Sequence, residues 1–454
     1  MYDVIVIGGG ITGAGTARDC AMRGLKTLLL ERASPGGATT ASSSHLIHGG
    51  LRYLLYDRLT THTTCWDSGH IIRIAGPLLT RLPILWPVYK GHSHGLETVE
   101  TLLEVYDEFQ QMKGGLPHLR FNAHETLRLV PGLAPKGLLG SLSFDEWWVD
   151  PVALVEANLD SARRHGAEVK TGTMVAGMLL RNGRVTGVVA DGKNIEAKVV
   201  VNAAGPWIDK ISSLAGARIP LRLRKGTHLV YERPLTPVGL LLEAVDRGRY
   251  VFVLPHKDGT LIGPTDLPSP DDPDSITTGE DEKKYLYDSV RRYLPDLKPD
   301  YARTIVGARP ILGQAGNEKL LSREFEVFDH QARDGIEGLV TIGGGKMSDF
   351  RAMAEAGADA ACRKLRSTAR CRTHHEDLWG KPIGSVPRYR GPQAELRLFL
   401  KTHPRLRELH ALGCLGGALA RHLLLKALGE SRISRADALP GHYSHRASLP
   451  GEFW

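Results

Sequence analysis

Near the N-terminus the run Gly8-Gly9-Gly10-Ile11-Thr12-Gly13 follows the apolar stretch Val4-Ile5-Val6-Ile7, and the next apolar stretch, Thr27 to Leu30, ends in Glu31. A strand, a glycine turn, a helix and a second strand closing on a carboxylate make up a dinucleotide-binding βαβ unit, which commits the chain to an α/β fold. Each glycine has its own task. Gly8 makes the tight turn, Gly10 lets backbone approach a pyrophosphate, and Gly13 lets the helix pack closely on the strand. The anion then sits at a helix N-terminus. Glu31 stands where an acid can hydrogen-bond a ribose hydroxyl, which favours a cofactor without a 2′-phosphate.

A chain of 454 residues with 42% hydrophobic content can bury a sizeable core and form two or three domains. Its apolar runs are too short to span a membrane, and Met1-Tyr2-Asp3 leads directly into a strand, so the expected location is the cytoplasm. The five cysteines form no C-x-x-C pair and offer no local scaffold for zinc or an iron–sulfur cluster. His92-Ser93-His94 and His374-His375 lack further ligands at suitable spacing and read as loop histidines, so no metal site is expected. Lys+Arg exceed Asp+Glu by 58 to 50, a modest excess that suits an anionic substrate or an anionic membrane face. It forms no concentrated stripe, so no nucleic-acid partner is expected.

After Glu31 comes a polar, glycine-rich loop, Gly36 to Ser44, which can place hydroxyls and amides around a cofactor, followed by His45 to Tyr53. Helical periodicity runs over 68–80 and 96–112. Asp150 and Pro151 read as the cap and first turn of a helix continuing through Ala162. Strands are expected at 178–181 and 185–190, joined by the turn Asn182-Gly183, and at 198–202, which runs into Ala203-Ala204-Gly205-Pro206-Trp207. Between 221 and 309 the strands 227–231, 250–254 and 260–263 read as a mostly antiparallel sheet. A strand at 338–342 then ends in Gly343-Gly344-Gly345-Lys346 and leads into a helix reaching about 366. These patterns divide the chain into a discontinuous Rossmann-like nucleotide domain (1–80, 150–220 and 335–366), a mostly antiparallel substrate domain (81–149 and 221–334) and a small helical C-terminal region (367–454). Within the last, 395–428 reads as one or two amphipathic helices flanked by Lys401, Arg405, Arg407 and Arg421, serving either as a cap on the body or as a membrane or partner contact.

Three separated glycine-rich strand ends suit an elongated flavin cofactor, and the combination resembles the glutathione-reductase-type FAD fold shared with amino-acid oxidases. Within that fold the chain resembles the FAD-dependent glycerol-3-phosphate dehydrogenases over about residues 1 to 370. The resemblance rests on His48-Gly49-Gly50-Leu51-Arg52-Tyr53, Lys225-Gly226-Thr227-His228, Gly263-Pro264-Thr265-Asp266, Gly307-Ala308-Arg309-Pro310 and Gly344-Gly345-Lys346, in the family's order. His48–Tyr53 and Lys225–His228 look like the aerobic, single-chain form, and 329–365 like the anaerobic large subunit. Two places depart from the pattern. Met347-Ser348-Asp349-Phe350-Arg351 replaces the usual Leu-Thr-Thr-Tyr-Arg or Leu-Met-Thr-Tyr-Arg, and His45 stands where aerobic members commonly have lysine.

The resemblance implies FAD-dependent oxidation of sn-glycerol 3-phosphate to dihydroxyacetone phosphate, with electrons passed to a quinone or an electron-transfer partner. An oxygen-using oxidase, or a related hydroxy-acid or amine oxidoreductase, is the alternative. It also implies a cofactor site formed by Gly8, Gly10, Gly13, Glu31, Thr40, Ser43, His48, Gly49, Ala204, Gly205, Gly344, Gly345 and Lys346. Loss of the hydroxyl proton calls for a base, and His228 is the candidate; the alternative is a histidine simply packed in a sheet. Arg309 and Lys346 join it as catalytic candidates, Lys346 either stabilising negative charge on the flavin or pairing with Asp349. Arg52 and Arg323, with Arg309, match the family's phosphate-binding positions. Tyr53 and Asp266 would orient substrate or arginines, or Asp266 would cap a turn. Peripheral attachment to the inner face of the cytoplasmic membrane through the tail, and a homodimer, remain open.

Overall fold

A computed structural model describes residues 1–54, 58–257, 259–270, 272–313 and 325–384, and a few positions between 413 and 423. Two sheets carry the fold. The first has strand order 325–329, 339–344, 193–202, 2–7, 27–30, 168–170. Along this path every pair is parallel except Phe325–Asp329, which lies antiparallel on Leu339–Gly344. Its central strands are buried on both faces, which is why Val4–Ile7 and Leu28–Leu30 read as unbroken apolar runs rather than alternating ones. The helix Ile11–Met22 packs against Pro151–Arg164 and Phe350–Leu365. Asp150 caps the second of these as expected, its carboxylate accepting from Val152 and Ala153 N–H at 3.0 and 3.2 Å. The hairpin Val175–Arg181 and Arg184–Ala190 extends the early part of Lys193–Asn202.

The second sheet is mostly antiparallel, in the order 267–268, 221–231, 259–263, 250–256, 239–243, 79–89, 138–149, 46–47, with Arg303–Leu312 pairing along Leu221 to Val230. The helical periodicity expected over 68–80 is corrected at its end. The helix Arg58–Ala75 stops before a short turn at Gly76-Pro77-Leu78, and Leu79 and Thr80 open the strand Leu79–Tyr89, paired with Val149 and Trp148. Gly76 and Pro77 supply the break, since proline cannot continue the hydrogen-bond ladder of a helix. Leu46–Ile47 pairs with Trp147 and Trp148, so the polar loop 36–44 leaves the first sheet at Glu31 and enters the second. That passage places the loop across the cleft between the sheets.

Residues 367–384 form turns that close over the helix Ile11–Met22. The Arg18 guanidinium, 1% exposed, donates to Ser161 Oγ (2.9 Å) and to the carbonyls of Thr373 (3.1 Å) and Glu376 (2.7 Å). Most of the expected amphipathic tail, 395–428 with Lys401, Arg405, Arg407 and Arg421, lies outside the described residues. His422 is described: it is buried against the helix Leu96–Gln110, with Nδ1 3.1 Å from Glu104 and Nε2 3.2 Å from Glu97. No described helix is long and apolar enough to cross a membrane.

Candidate active site

A cavity of about 2080 Å³ lies between the two sheets, with lining residues from both and from the polar loop. That is larger than a small-molecule pocket and leaves room for an elongated cofactor with a second molecule. Its first wall is formed where the neighbouring strands 339–344, 193–202 and 2–7 end, because the crevice outside the carboxyl ends of parallel strands is where turns leave room for a ligand. The three glycine-rich ends therefore converge.

At the first of these ends Gly8 has φ +105°, and a Cβ there would stand 2.7 Å from the Ala203 carbonyl oxygen. Gly10 opens the helix Ile11–Met22 and lines the cavity, with Thr40 Oγ1 the nearest atom to a Cβ at 3.5 Å. Gly13 does not line the cavity. It is the packing glycine, since a Cβ would fall 1.9 Å from Gly8 O. Glu31 is held at the cavity wall by Gly9 N–H (2.6 Å) and Ala33 N–H (2.8 Å), which fixes its carboxylate beside the turn. Thr40, Ser43, His48, Ala204, Gly205, Gly344, Gly345 and Lys346 also line the cavity. These residues fit an elongated dinucleotide: a cradle without side chains at the helix N-terminus, an anchored carboxylate at one end and a lysine at the other.

Gly49 is a second exception, packed behind the lining. Its N–H donates to Glu146 at 3.1 Å, and a Cβ would meet Tyr106 Oη at 2.2 Å and Cys65 Sγ at 2.4 Å. The fully buried Lys113 and Tyr106 also bind the Glu146 carboxylate. Burial pushes that carboxyl up, opposed chiefly by the Lys113 charge. The neighbouring His48 has its N–H bound by Ser348 Oγ (2.8 Å) and its carbonyl by Ser68 Oγ (3.0 Å). Ser348, one of the departures from the family pattern, is thus what ties the His48 segment to the last glycine turn.

The opposite wall is built by strand alternation. Arg224, Gly226 and His228 lie on one face of Leu221–Tyr231 and all three line the cavity. Arg224 and Arg309 pair directly across neighbouring strands, and Asp266 reconciles the two like charges. Its Oδ1 lies 2.7 Å from Arg224 Nε and 3.2 Å from Arg309 Nη1. Asp266 is therefore an arginine-orienting carboxylate. Arg309 also donates to the Thr265 carbonyl at 3.0 Å. Behind this wall the buried Glu282 accepts from Thr227 and Thr265 hydroxyls (2.8 and 2.9 Å) and pairs with Lys225 (2.6 Å). Tyr53 is buried, with Arg52 5.3 Å and Lys346 5.2 Å from its ring centre. Lys346 pairs with Asp349 at 2.6 Å. Arg323 lies outside the described residues.

His228 is 2% exposed and does not present a ring nitrogen to the cavity directly. Its Nε2 is 3.0 Å from Ser44 Oγ, its Nδ1 is enclosed, and its ring lies over Gly263, where a Cβ would come within 2.7 Å of His228 Cδ2. Ser44, half-buried on the cavity wall, stands between His228 and the open space. Burial first, then the charges of Arg309, His45 and His256, hold the His228 imidazolium well below the ordinary histidine value, so the ring is neutral at neutral pH. The same loop is pinned to the arginine strand by Thr39 Oγ1 donating to the Ala308 carbonyl at 2.7 Å. Sequence reading did not single out Arg224 or Glu282, and it named Ser44 only as the end of the polar loop and Ser348 only within a departure from the family pattern. The two-residue period Arg224, Gly226, His228 could have marked Arg224, whereas Glu282 carries no signal apart from its neighbours in space.

The FAD dependent oxidoreductase family profile matches residues 3–362. The chain is 31% identical over 404 residues to an aerobic glycerol-3-phosphate dehydrogenase of Staphylococcus saprophyticus, covering 84% of this chain and 72% of that one. It is also similar to the crystal structure of a Bacillus halodurans glycerol-3-phosphate dehydrogenase complexed with FAD, with a TM-score of 0.67 and 26% identity over 94% of this chain and 80% of that one. A Mycoplasma pneumoniae L-α-glycerophosphate oxidase shares the fold, with a TM-score of 0.63 and 19% identity over 85% of this chain and 99% of that one.

Proposed function

Because the chain belongs to the FAD-dependent oxidoreductases, grouping with the glycerol-3-phosphate dehydrogenases, we propose that it oxidises the secondary hydroxyl of sn-glycerol 3-phosphate, giving dihydroxyacetone phosphate. The observation that carries the reading is the Arg309 guanidinium. It lies across Gly226 on the cavity wall, oriented by Asp266 and Thr265, in the same cleft as the three glycine turns. A guanidinium so oriented can grip phosphate oxygens in a fork. Arg52 adds a second positive charge on the lining, and Lys346, on the lining at the last glycine turn, would stabilise negative charge on the flavin or on the substrate oxygen. FAD, when bound, supplies the hydride acceptor, held by Gly8, Gly10, Glu31, Thr40, Ser43, Ala204, Gly205, Gly344 and Gly345. Ser44, hydrogen-bonded to His228, receives the hydroxyl proton, and the neutral imidazole behind it is the base.

The electrons then pass to a quinone or an electron-transfer partner. The basic, leucine-rich stretch 395–428 supports peripheral attachment to an anionic membrane face. Anaerobic addition of glycerol 3-phosphate to the purified yellow protein should bleach the flavin spectrum, with glycine, proline and unphosphorylated glycerol far weaker. Bleaching by an amine and not by the phosphate would overturn the substrate. Reoxidation by a short-chain quinone in preference to oxygen supports a dehydrogenase, and the reverse an oxidase. Sedimentation with anionic vesicles of the full chain, but not of one cut near Arg390, would place the attachment in the tail.

A further inference from the structure

Behind Ser44 and His228 lie two further buried histidines, His45 and His256, and Trp148, which the reading above leaves unused. We propose that Ser44, His228, His45 and His256, joined by bound water, form the path by which the substrate's hydroxyl proton leaves the closed site. The proposal rests on the oxidation reading above.

The geometry carries it. His228, His45 and His256 are 2%, 6% and 8% exposed, and the rings of His45 and His256 meet edge to face with centres 4.8 Å apart. On all three the Nδ1 atom is buried and has no hydrogen-bond partner among the described residues. The same holds for the indole N–H of Trp148, whose ring centre is 6.4 Å from that of His256. Buried polar atoms are rarely left without a partner; three of these lie on rings in contact, and His228 adjoins them through Ser44, the neighbour of His45, a setting suited to ordered water. His45 Nε2 donates to the Ala41 carbonyl at 3.0 Å, so the neutral ring presents its Nδ1 as an acceptor. His256 closes the outer end, next to Lys257, which pairs with Asp150 at 3.4 Å on the surface; Arg303 is the other charge acting on both outer histidines.

The proton balance is simple. As the substrate carbon gives up its hydride, the hydroxyl O–H bond breaks toward Ser44 Oγ, and the serine's own proton passes to His228 Nε2. His228 releases the proton from Nδ1 to water, and it moves by way of His45 and His256 to bulk solvent. No group in the path keeps it. Burial holds all three imidazoliums below the ordinary value, with Arg309 acting on His228 and Lys257 and Arg303 on the outer pair, opposed by Asp150. Such rings conduct a proton without storing it. His45 takes up and returns the proton at Nδ1, since its Nε2–H is held by the Ala41 carbonyl, whereas the lysine that aerobic members commonly carry at this position would be an ammonium with no lone pair to accept it.

The test uses the FAD-loaded protein. A high-resolution crystal structure should show ordered water within hydrogen-bond distance of His228 Nδ1 and of at least one of the His45 and His256 Nδ1 atoms; a dry cluster overturns the path. His256→Ala and His256→Gln, checked for full flavin content, should slow anaerobic bleaching by glycerol 3-phosphate roughly 10²-fold, with added imidazole restoring the alanine variant. Unchanged rates, or a loss that imidazole does not repair, overturn it. Failure of the wild-type protein to bleach would instead strike the substrate reading, which separates the two.

Discussion

A Cβ on Gly226 would stand 2.2 Å from Nη2 of Arg309, so the absence of a side chain on one strand is what lets the guanidinium on the next lie flat across the cavity wall. Gly226→Ala is therefore expected to displace Arg309 while leaving the glycine turns untouched. Substrate KM should rise, with kcat/KM falling about 10- to 150-fold, the equivalent of a lost charge-assisted hydrogen bond of about 1.5–3 kcal/mol. Flavin content should be unchanged. Normal kinetics in this variant would remove Arg309 from the phosphate site.

Arg309→Ala should show the same loss and Arg309→Lys only partial recovery. An ammonium supplies charge but cannot bridge Asp266, the Thr265 carbonyl and a phosphate in one plane. Full recovery by lysine, measured as kcat/KM, would mean that charge alone suffices.

The two glycines of the first turn should respond differently. Gly13→Ala puts a methyl group 1.9 Å from Gly8 O, between helix and strand, so the variant is expected to lose thermal stability and flavin together. Gly10→Ala meets only Thr40 Oγ1 at 3.5 Å and should fold normally while binding flavin more weakly, because Gly10 lines the cavity at the helix N-terminus, where a pyrophosphate would bind. Thermal melts of both variants, with and without added FAD, distinguish the two outcomes.

Removing a partner from a buried ion pair should cost more than removing both. Arg351 Nε lies 2.6 Å from Asp67, which is 1% exposed and whose carboxyl burial pushes up to about 6. Arg351→Ala is expected to destabilise the fold by about 3–5 kcal/mol, with Asp67→Asn in the same chain recovering part of the loss. Urea unfolding of the single and double variants measures the difference.

The buried histidines predict a pH dependence of stability. His256 titrates at about 4 in the fold against an ordinary 6.5, through burial first and then His45, Lys257 and Arg303. Between those values the unfolded chain binds a proton that the folded chain does not, so this contribution weakens as pH falls below about 6.5. Asp67, with its raised value, acts in the opposite direction, so the informative quantity is a difference. His256→Gln should lose less stability than the wild type between about pH 7.5 and about pH 5, read from urea midpoints. An equal loss would show that His256 is not held neutral by the fold.

Much of the first glycine turn was legible in the chain itself. Gly8, Gly10, Gly13 and Glu31 sit within one βαβ unit, where local geometry dictates residue type: a positive φ at Gly8, a helix N-terminus at Gly10, a close approach at Gly13. Several strands were legible too, among them those at 185–190, 227–231, 250–254 and 260–263, and the Asp150–Pro151 signal marked a helix start, whereas the strands 79–89, 138–149, 239–243, 303–312 and 325–329 were not foreseen. The helix expected over 68–80 failed at its end because the Gly76-Pro77 break and the pairing of Leu79 with Val149 outweighed an apolar spacing that suits either structure.

What the tertiary structure alone decided is the meeting of segments far apart in sequence. Ser44 reaches His228, Ser348 reaches His48, Asp266 joins Arg224 to Arg309, and His45 lies against His256. None of these pairs shares a period or a motif. Each depends on how two sheets face one another across the cleft and on where a polar loop crosses it. Sequence fixes which conformations a short stretch can adopt, through sterics and the hydrogen bonds of neighbouring residues. A hydrogen bond between residues 184 positions apart, such as Ser44 to His228, exists only once the burial of both sheets has brought its two ends together.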